Sequence, residues 1–287
     1  MSGAYAIVVD GTAALPPELA EELGILILPL HVSFGAETFT AGVDLSAAEF
    51  YERLRRPDAT PTTSQPSLGE CREAFEAAAR DGSRGILVVT VATELSGTHS
   101  TATAAACQVG GRIEVIDSRS TAGSIALVAT ACARARRNDA SFPDAVALAR
   151  RLAGHVKLLA VIDTLEYLRR SGRASSLENV FGSLLSVKPI ITVDDGRLQP
   201  IDRVRTRGKA MDRLKELIEA DVPPGERLHV CVLHTNEAER AAQLSSWIRQ
   251  RYDCVEHFVA EAGPVIGAHG GPGVVGCCWY PQRLLEA

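Results

Sequence analysis

Along the first half of the chain, short unbroken apolar runs alternate with longer stretches in which apolar residues recur every three or four positions. Tyr5 to Val9, Gly85 to Val91 and Arg112 to Ile116 read as strands of the kind a parallel sheet buries on both faces. Ile25 to Val32 reads as a further strand, with Pro29 marking an edge or a kink. Helices are predicted from Pro16-Pro17-Glu18 to Leu23, where Gly24 ends the turn, and from Ser46 to Leu54, where Ser46 and Glu49 have capping-box spacing. More follow at Leu68 to Ala79, His99 to Cys107, Ala122 to Arg136 and Phe142 to Leu152, and Phe34 to Gly42 reads as a hairpin. This β-α alternation through about Gly154 predicts a doubly wound parallel α/β domain.

From Val156 the texture changes. The strand Leu158 to Ile162 leads into a short charged helix, Asp163 to Ser171, then a Gly182-Ser183-Leu184 segment and the strand Pro189 to Val193. Asp194-Asp195-Gly196 is a hairpin-turn signal, and the returning strand from Arg197 sets Arg203, Arg205 and Arg207 on one face. A helix at Lys209 to Ala220, a strand at Leu228 to Leu233, a helix at Glu237 to Gln250 and a strand at Val255 to Val259 complete the pattern. The expectation is an α/β protein of two domains: residues 1–155, and residues 156–287 with a mixed sheet. A length of 287 residues and a hydrophobic fraction of 46% suit that size of core.

Composition narrows the function. A formal net charge of −5 argues against non-specific nucleic-acid binding. No apolar run is long enough to cross a bilayer, and no basic stretch precedes an apolar one at the N-terminus, so a cytoplasmic protein without stable membrane insertion is expected. Seven cysteines without a C-x-x-C pair read as reduced core thiols; in a strand, Cys277 and Cys278 would point to opposite faces. Neither G-x-G-x-x-G nor a Walker A pattern occurs, and the histidines are scattered, so neither a cofactor nor a metal is implied.

Three loops carry candidate chemistry. Pro61-Thr62-Thr63-Ser64-Gln65-Pro66-Ser67 offers four hydroxyls and an amide between two prolines, which disfavour helix and stiffen the backbone. Such uncharged donors suit an anion or a polar head group, although taken alone the stretch also reads as a connector in which Ser67 and Glu70 cap the next helix. Leu95-Ser96-Gly97-Thr98 joins a strand to a helix, and Ser96 there is either an anion ligand beside the helix N-terminus or a plain N-cap. The Gly- and Pro-dense segment from Gly263 to Gly273 holds one titratable group, His269, away from any apolar helix or strand face. Asp10, ending the first strand, is a functional group or an Asx turn.

The chain resembles the DegV family of bacterial fatty-acid-binding proteins. The resemblance rests on Asp10-Gly11-Thr12 with Leu15-Pro16, on the hydroxyl stretch, on Leu95-Ser96-Gly97-Thr98 and on Ile116-Asp117-Ser118-Arg119. It continues through Asp163 to Arg173, Lys188-Pro189-Ile190 and Gly263 to His269, nearly the whole length. Gly11 departs from the serine more usual in the family. The resemblance implies a long-chain fatty acid of the palmitate or oleate type in a tunnel between two domains, and no catalysis by this chain. It implies a carboxylate held by Thr63 and Ser96 with Thr62 and His269 nearby. Gly97, Arg173 and Arg205 are then secondary ligand or partner contacts, Arg205 near the head group. Some members serve as carrier subunits of a fatty-acid kinase, and Arg173 would then help an ATP-binding partner dock. Burial of the tail at ~0.8 kcal/mol per CH₂ supplies the affinity; the hydroxyls orient the head. The alternatives are a serine hydrolase with Ser96 as nucleophile, His269 as base and Asp10 or Asp117 behind it, lacking the G-x-S-x-G elbow, and an arginine face that recognises phosphate or nucleic acid.

Overall fold

The computed structural model describes residues 5–56, 58–177 and 187–286; the Gly182-Ser183-Leu184 segment lies outside them. Four parallel strands form the first sheet in the order β2 (Ile25–Leu28), β1 (Ala6–Asp10), β6 (Ile86–Thr90) and β7 (Ile113–Asp117). Alternate side chains of β1 and β6 feed two cores. Ile7, Val9, Leu87 and Val89 pack with α1 (Pro17–Leu23), α5 (Gly123–Arg137) and α6 (Phe142–Leu152). Ala6, Val8, Ile86 and Val88 pack on the other side with α3 (Leu68–Arg80) and α4 (Thr98–Val109). Both faces are therefore covered, which is why these strands carry no polar alternation.

The expected strand from Ile25 to Val32 is two strands in two sheets. After β2 the chain turns at Pro29, which cannot donate to a ladder, and β3 (His31–Phe34) enters an antiparallel sheet of order β4-β3-β5 with β4 (Glu37–Thr40) and β5 (Pro61–Ser64). The first four residues of the hydroxyl stretch, Pro61–Ser64, are thus a strand, extended as the prolines demand. Ser46 and Ser67 both make the capping boxes read from the sequence, at the starts of α2 (Ala47–Leu54) and α3.

The second sheet is mixed and six-stranded: β10 (Arg197–Val204), β9 (Lys188–Asp194), β8 (Lys157–Val161), β13 (Val275–Pro281), β11 (Arg227–His234) and β12 (Asp253–Glu261). Among the described residues of this sheet, only β11 and β12 pair in parallel. β13 is a strand the periodicity did not reveal. It splits the vicinal cysteines as a strand must, Cys277 into the core under α8 (Arg207–Asp221) and α9 (Ala238–Arg251), Cys278 into the core shared with α5. From Gly123 to Ala133 every residue of α5 is buried, because one side of the helix meets the first sheet and the other meets β11 and β13. Gly123 makes this possible: a Cβ there would lie 2.7 Å from the sulfur of Cys231 and 3.0 Å from that of Cys278.

Two further expectations are corrected. The charged helix is shorter, α7 (Glu166–Arg170). Arg203, Arg205 and Arg207 do not share a face, because β10 ends at Val204 and Thr206 caps α8. Arg203 and Arg205 are exposed, whereas Arg207 turns inward to Asp163, 2.9 Å away.

Candidate functional site

In the strand order β2-β1-β6-β7, β1 and β6 are neighbours whose connections depart in opposite directions, so a crevice opens beyond their carboxyl ends. Asp10 closes β1 there. Its carboxylate is fully buried and accepts from the Thr12 amide at 2.8 Å, the Thr12 hydroxyl and the Val91 amide at 2.5 Å. Burial pushes its pKa up, and the three hydrogen bonds pull against that. Asp10 is therefore both an Asx turn and a strap between the ends of β1 and β6, with Thr12 and Val91 carried to the wall of a cavity.

That cavity, of about 330 Å³, lies between the two sheets and is of the size small-molecule sites occupy. Leu158 and Ala160 of β8, Ile191 and Val193 of β9 and Leu198 of β10 give it an apolar wall from the second sheet. Its polar lining gathers elsewhere. Thr63 and Thr62 alternate on β5, so Thr63 is half-buried and lines the cavity, whereas Thr62 is exposed and does not. The Thr63 hydroxyl meets His269 Nε2 at 2.9 Å.

His269 sits on a helix, not in the loop expected from its glycines. α10 (Pro264–Gly270) starts on Pro264 and stops at Gly271, whose φ of 72° only glycine adopts readily. Gly267 lets this helix press on α2: a Cβ would lie 2.7 Å from both Phe50 Cε1 and Tyr51 Oη. The imidazole is held at a pKa of about 4, mainly by burial and then by the Arg173 guanidinium, so it is neutral at neutral pH. Its Nδ1 is buried without a hydrogen-bond partner among the described residues.

Ser96 lines the cavity from the turn between β6 and α4. It does not cap the helix, because Gly97 occupies the N-cap position. Instead its hydroxyl accepts from the Thr98 amide at 3.3 Å and meets the Thr98 hydroxyl at 2.9 Å. Arg173 is exposed at the same rim and donates to the Leu95 carbonyl at 3.4 Å and the Ser171 carbonyl at 2.5 Å. Thr63, Ser96, Gly97, Arg173 and His269 are thus brought to one cavity; Thr62 and Arg205 are not.

The arrangement does not build a nucleophile and base. Ser96 is bonded to Thr98 and His269 to Thr63, and a base of pKa about 4 holds protons weakly. Neither carboxylate proposed behind it is available: Asp10 holds Thr12 and Val91, and Asp117 accepts from Thr93 and the Arg119 amide. Among the described residues no group of three or more His, Cys, Asp or Glu is set to hold a metal ion, and no helix is long and apolar enough to cross a membrane. The apolar wall escaped the sequence reading for a physical reason. Leu158 and Ala160 face the cavity while Leu159 and Val161 face α8 and α9, so nothing in the pattern separates cavity from core.

The comparisons with known proteins agree with this architecture. The sequence profile of the DegV family, described as an uncharacterised protein family, matches residues 4–282. A DegV domain-containing protein of Halalkalibacterium halodurans is 36% identical over 280 residues, covering 97% of this chain and 99% of that protein. The crystal structure of DegV from Bacillus subtilis, a fatty acid binding protein, is 33% identical, with a TM-score of 0.88 over 97% of this chain and 99% of that one. A DegV family protein from Thermus thermophilus, described by its fatty acid binding, superposes with a TM-score of 0.90 at 26% identity, covering 97% and 100%. Sequence and fold together make this chain a member of the DegV family.

Proposed function

We propose that the protein is a non-catalytic carrier of one long-chain fatty acid, its tail lying in the cavity between the sheets and its carboxylate among Thr63, Ser96 and His269. The observation that carries this reading is the 2.9 Å pair of Thr63 and His269 on the polar lining of an otherwise apolar cavity. A buried carboxylate is costly unless several donors meet it. With the imidazole Nε2–H donating to Thr63, the Thr63 and Ser96 hydroxyls are left to supply them without a full counter-charge, and Arg173 lines the same cavity. The fatty acid binding described for the Bacillus subtilis and Thermus thermophilus relatives supports the same ligand class.

On this reading residues 1–155 and 156–287 act as two domains that share the ligand, in the cytoplasm. The exposed Arg173 lies where a partner that works on the carboxylate, such as the ATP-binding subunit of a fatty-acid kinase, would approach it. Lipid extraction from the denatured protein, followed by mass spectrometry, tests the proposal. A stoichiometric long-chain acid supports it. An empty extract, with no uptake of added palmitate or oleate, contradicts it.

A further inference from the structure

Gln65 follows the hydroxyl strand and lines the same cavity, outside the carboxylate set named above. Its side chain crosses from the end of β5 to α4, where Nε2 donates to the Thr101 hydroxyl at 2.6 Å. Between the two lies Gly97. The amide rests so closely on this residue that a Cβ at position 97 would collide with the Gln65 amide oxygen and crowd the amide carbon and nitrogen at 3.0 and 3.1 Å. Thr101 belongs to the same turn, since its backbone amide donates to the Gly97 carbonyl at 3.1 Å. The Gln65 side chain, two residues beyond Thr63, therefore ties the strand that carries Thr63 to the turn that carries Ser96, resting on Gly97 next to it.

No other side-chain hydrogen bond among the described residues joins β5 to this loop. Thr63 bonds to His269 on α10, and Ser96 bonds within its own turn. Left to themselves, β5 answers to the small antiparallel sheet and the Ser96 loop to the parallel one. Two hydroxyls can grip one carboxylate only if their separation is fixed to within a few tenths of an ångström.

We propose that Gln65 is a positioning residue for the head group: bonded to Thr101 across Gly97, it sets the gap between Thr63 and Ser96 and so the preference for a carboxylate over a neutral head. This rests on the carrier reading. A glutamine suits the task because an amide donates without placing a charge beside the ligand's own. Thr101 separates positioning from direct contact, for it does not line the cavity and its hydroxyl reaches the lining through Gln65.

The test is a competition of palmitate and hexadecanol against a fluorescent fatty-acid probe, in the wild-type protein and in Gln65→Leu, Thr101→Val, the double variant and Thr101→Ser. The acid-over-alcohol preference is expected to fall about tenfold in each single variant, the loss of roughly one hydrogen bond's worth of placement. It should fall no further in the double variant and stay at the wild-type value in Thr101→Ser. An unchanged preference in Thr101→Val, or losses that add in the double variant, overturns the proposal. A wild-type protein that binds neither probe overturns the carrier reading instead.

Discussion

His269 Nε2 and Thr63 Oγ1 stand 2.9 Å apart although 206 residues separate them in the chain. The contact joins the small antiparallel sheet to α10, and burial keeps the imidazole neutral, with a pKa of about 4 against 6.5 for the free group. A base whose folded pKa is depressed takes up its proton more readily in the unfolded chain. Its share of stability is therefore complete above about pH 6.5 and is lost as the pH falls towards 4. At ~1.4 kcal/mol per pH unit, that share is on the order of 3 kcal/mol. Urea unfolding of the delipidated protein at several pH values between these limits checks it. The wild type should weaken with acid more steeply than His269→Gln, and equal slopes would refute the assignment.

Alternation along β5 gives a paired prediction. Thr63→Val removes a donor from the cavity and should lower fatty-acid affinity about tenfold. Thr62→Val changes only the exposed face and should leave affinity unchanged. Displacement of a fluorescent fatty acid measures both, and equal losses would mean that the strand's facing does not decide the site.

Asp10 is assigned to structure, not to the ligand. All three of its hydrogen bonds come from donors, so Asp10→Asn would set an amide N–H against one of them and cost about 1–3 kcal/mol. Chemical denaturation should show that loss, while lipid loading of the folded fraction stays stoichiometric. Loss of loading without loss of stability would return Asp10 to the site.

The seat of α10 is equally specific. A side chain at Gly267 meets Phe50 and Tyr51 at 2.7 Å, so Gly267→Ala should cost about 1–3 kcal/mol through overpacking. It should also weaken fatty-acid binding, because His269 rides on the same helix. Thermal unfolding and probe displacement read the two effects separately.

Much of this was legible in the chain. Uniform apolar runs gave the parallel strands, capping spacings gave the starts of α2 and α3, and two prolines gave an extended hydroxyl stretch. What escaped was set by distant partners. Pro29 could be read as an edge or a kink, but only the second sheet shows that β3 leaves the first. The run at Val275 to Pro281 becomes a strand because β8 and β11 flank it. The glycines around His269 suggested a loop, yet Gly267 serves a helix packed tightly on Phe50 and Tyr51. Arg207 looked like one of a rank on a strand, and Asp163 draws it inward as the first residue of α8. At the site, Thr63, Ser96 and His269 were named from their residue types and the family resemblance, while Gln65 needed the contact with Gly97 to stand out.

The central claim is that the carboxylate of a bound fatty acid lies against Thr63 and Ser96. Carbon-13 NMR of palmitate labelled at its carboxyl carbon measures this most directly. The account predicts one resonance per protein, distinct from that of free palmitate, which moves in Thr63→Val and again in Ser96→Ala. A bound signal at the same position in all three proteins would contradict it.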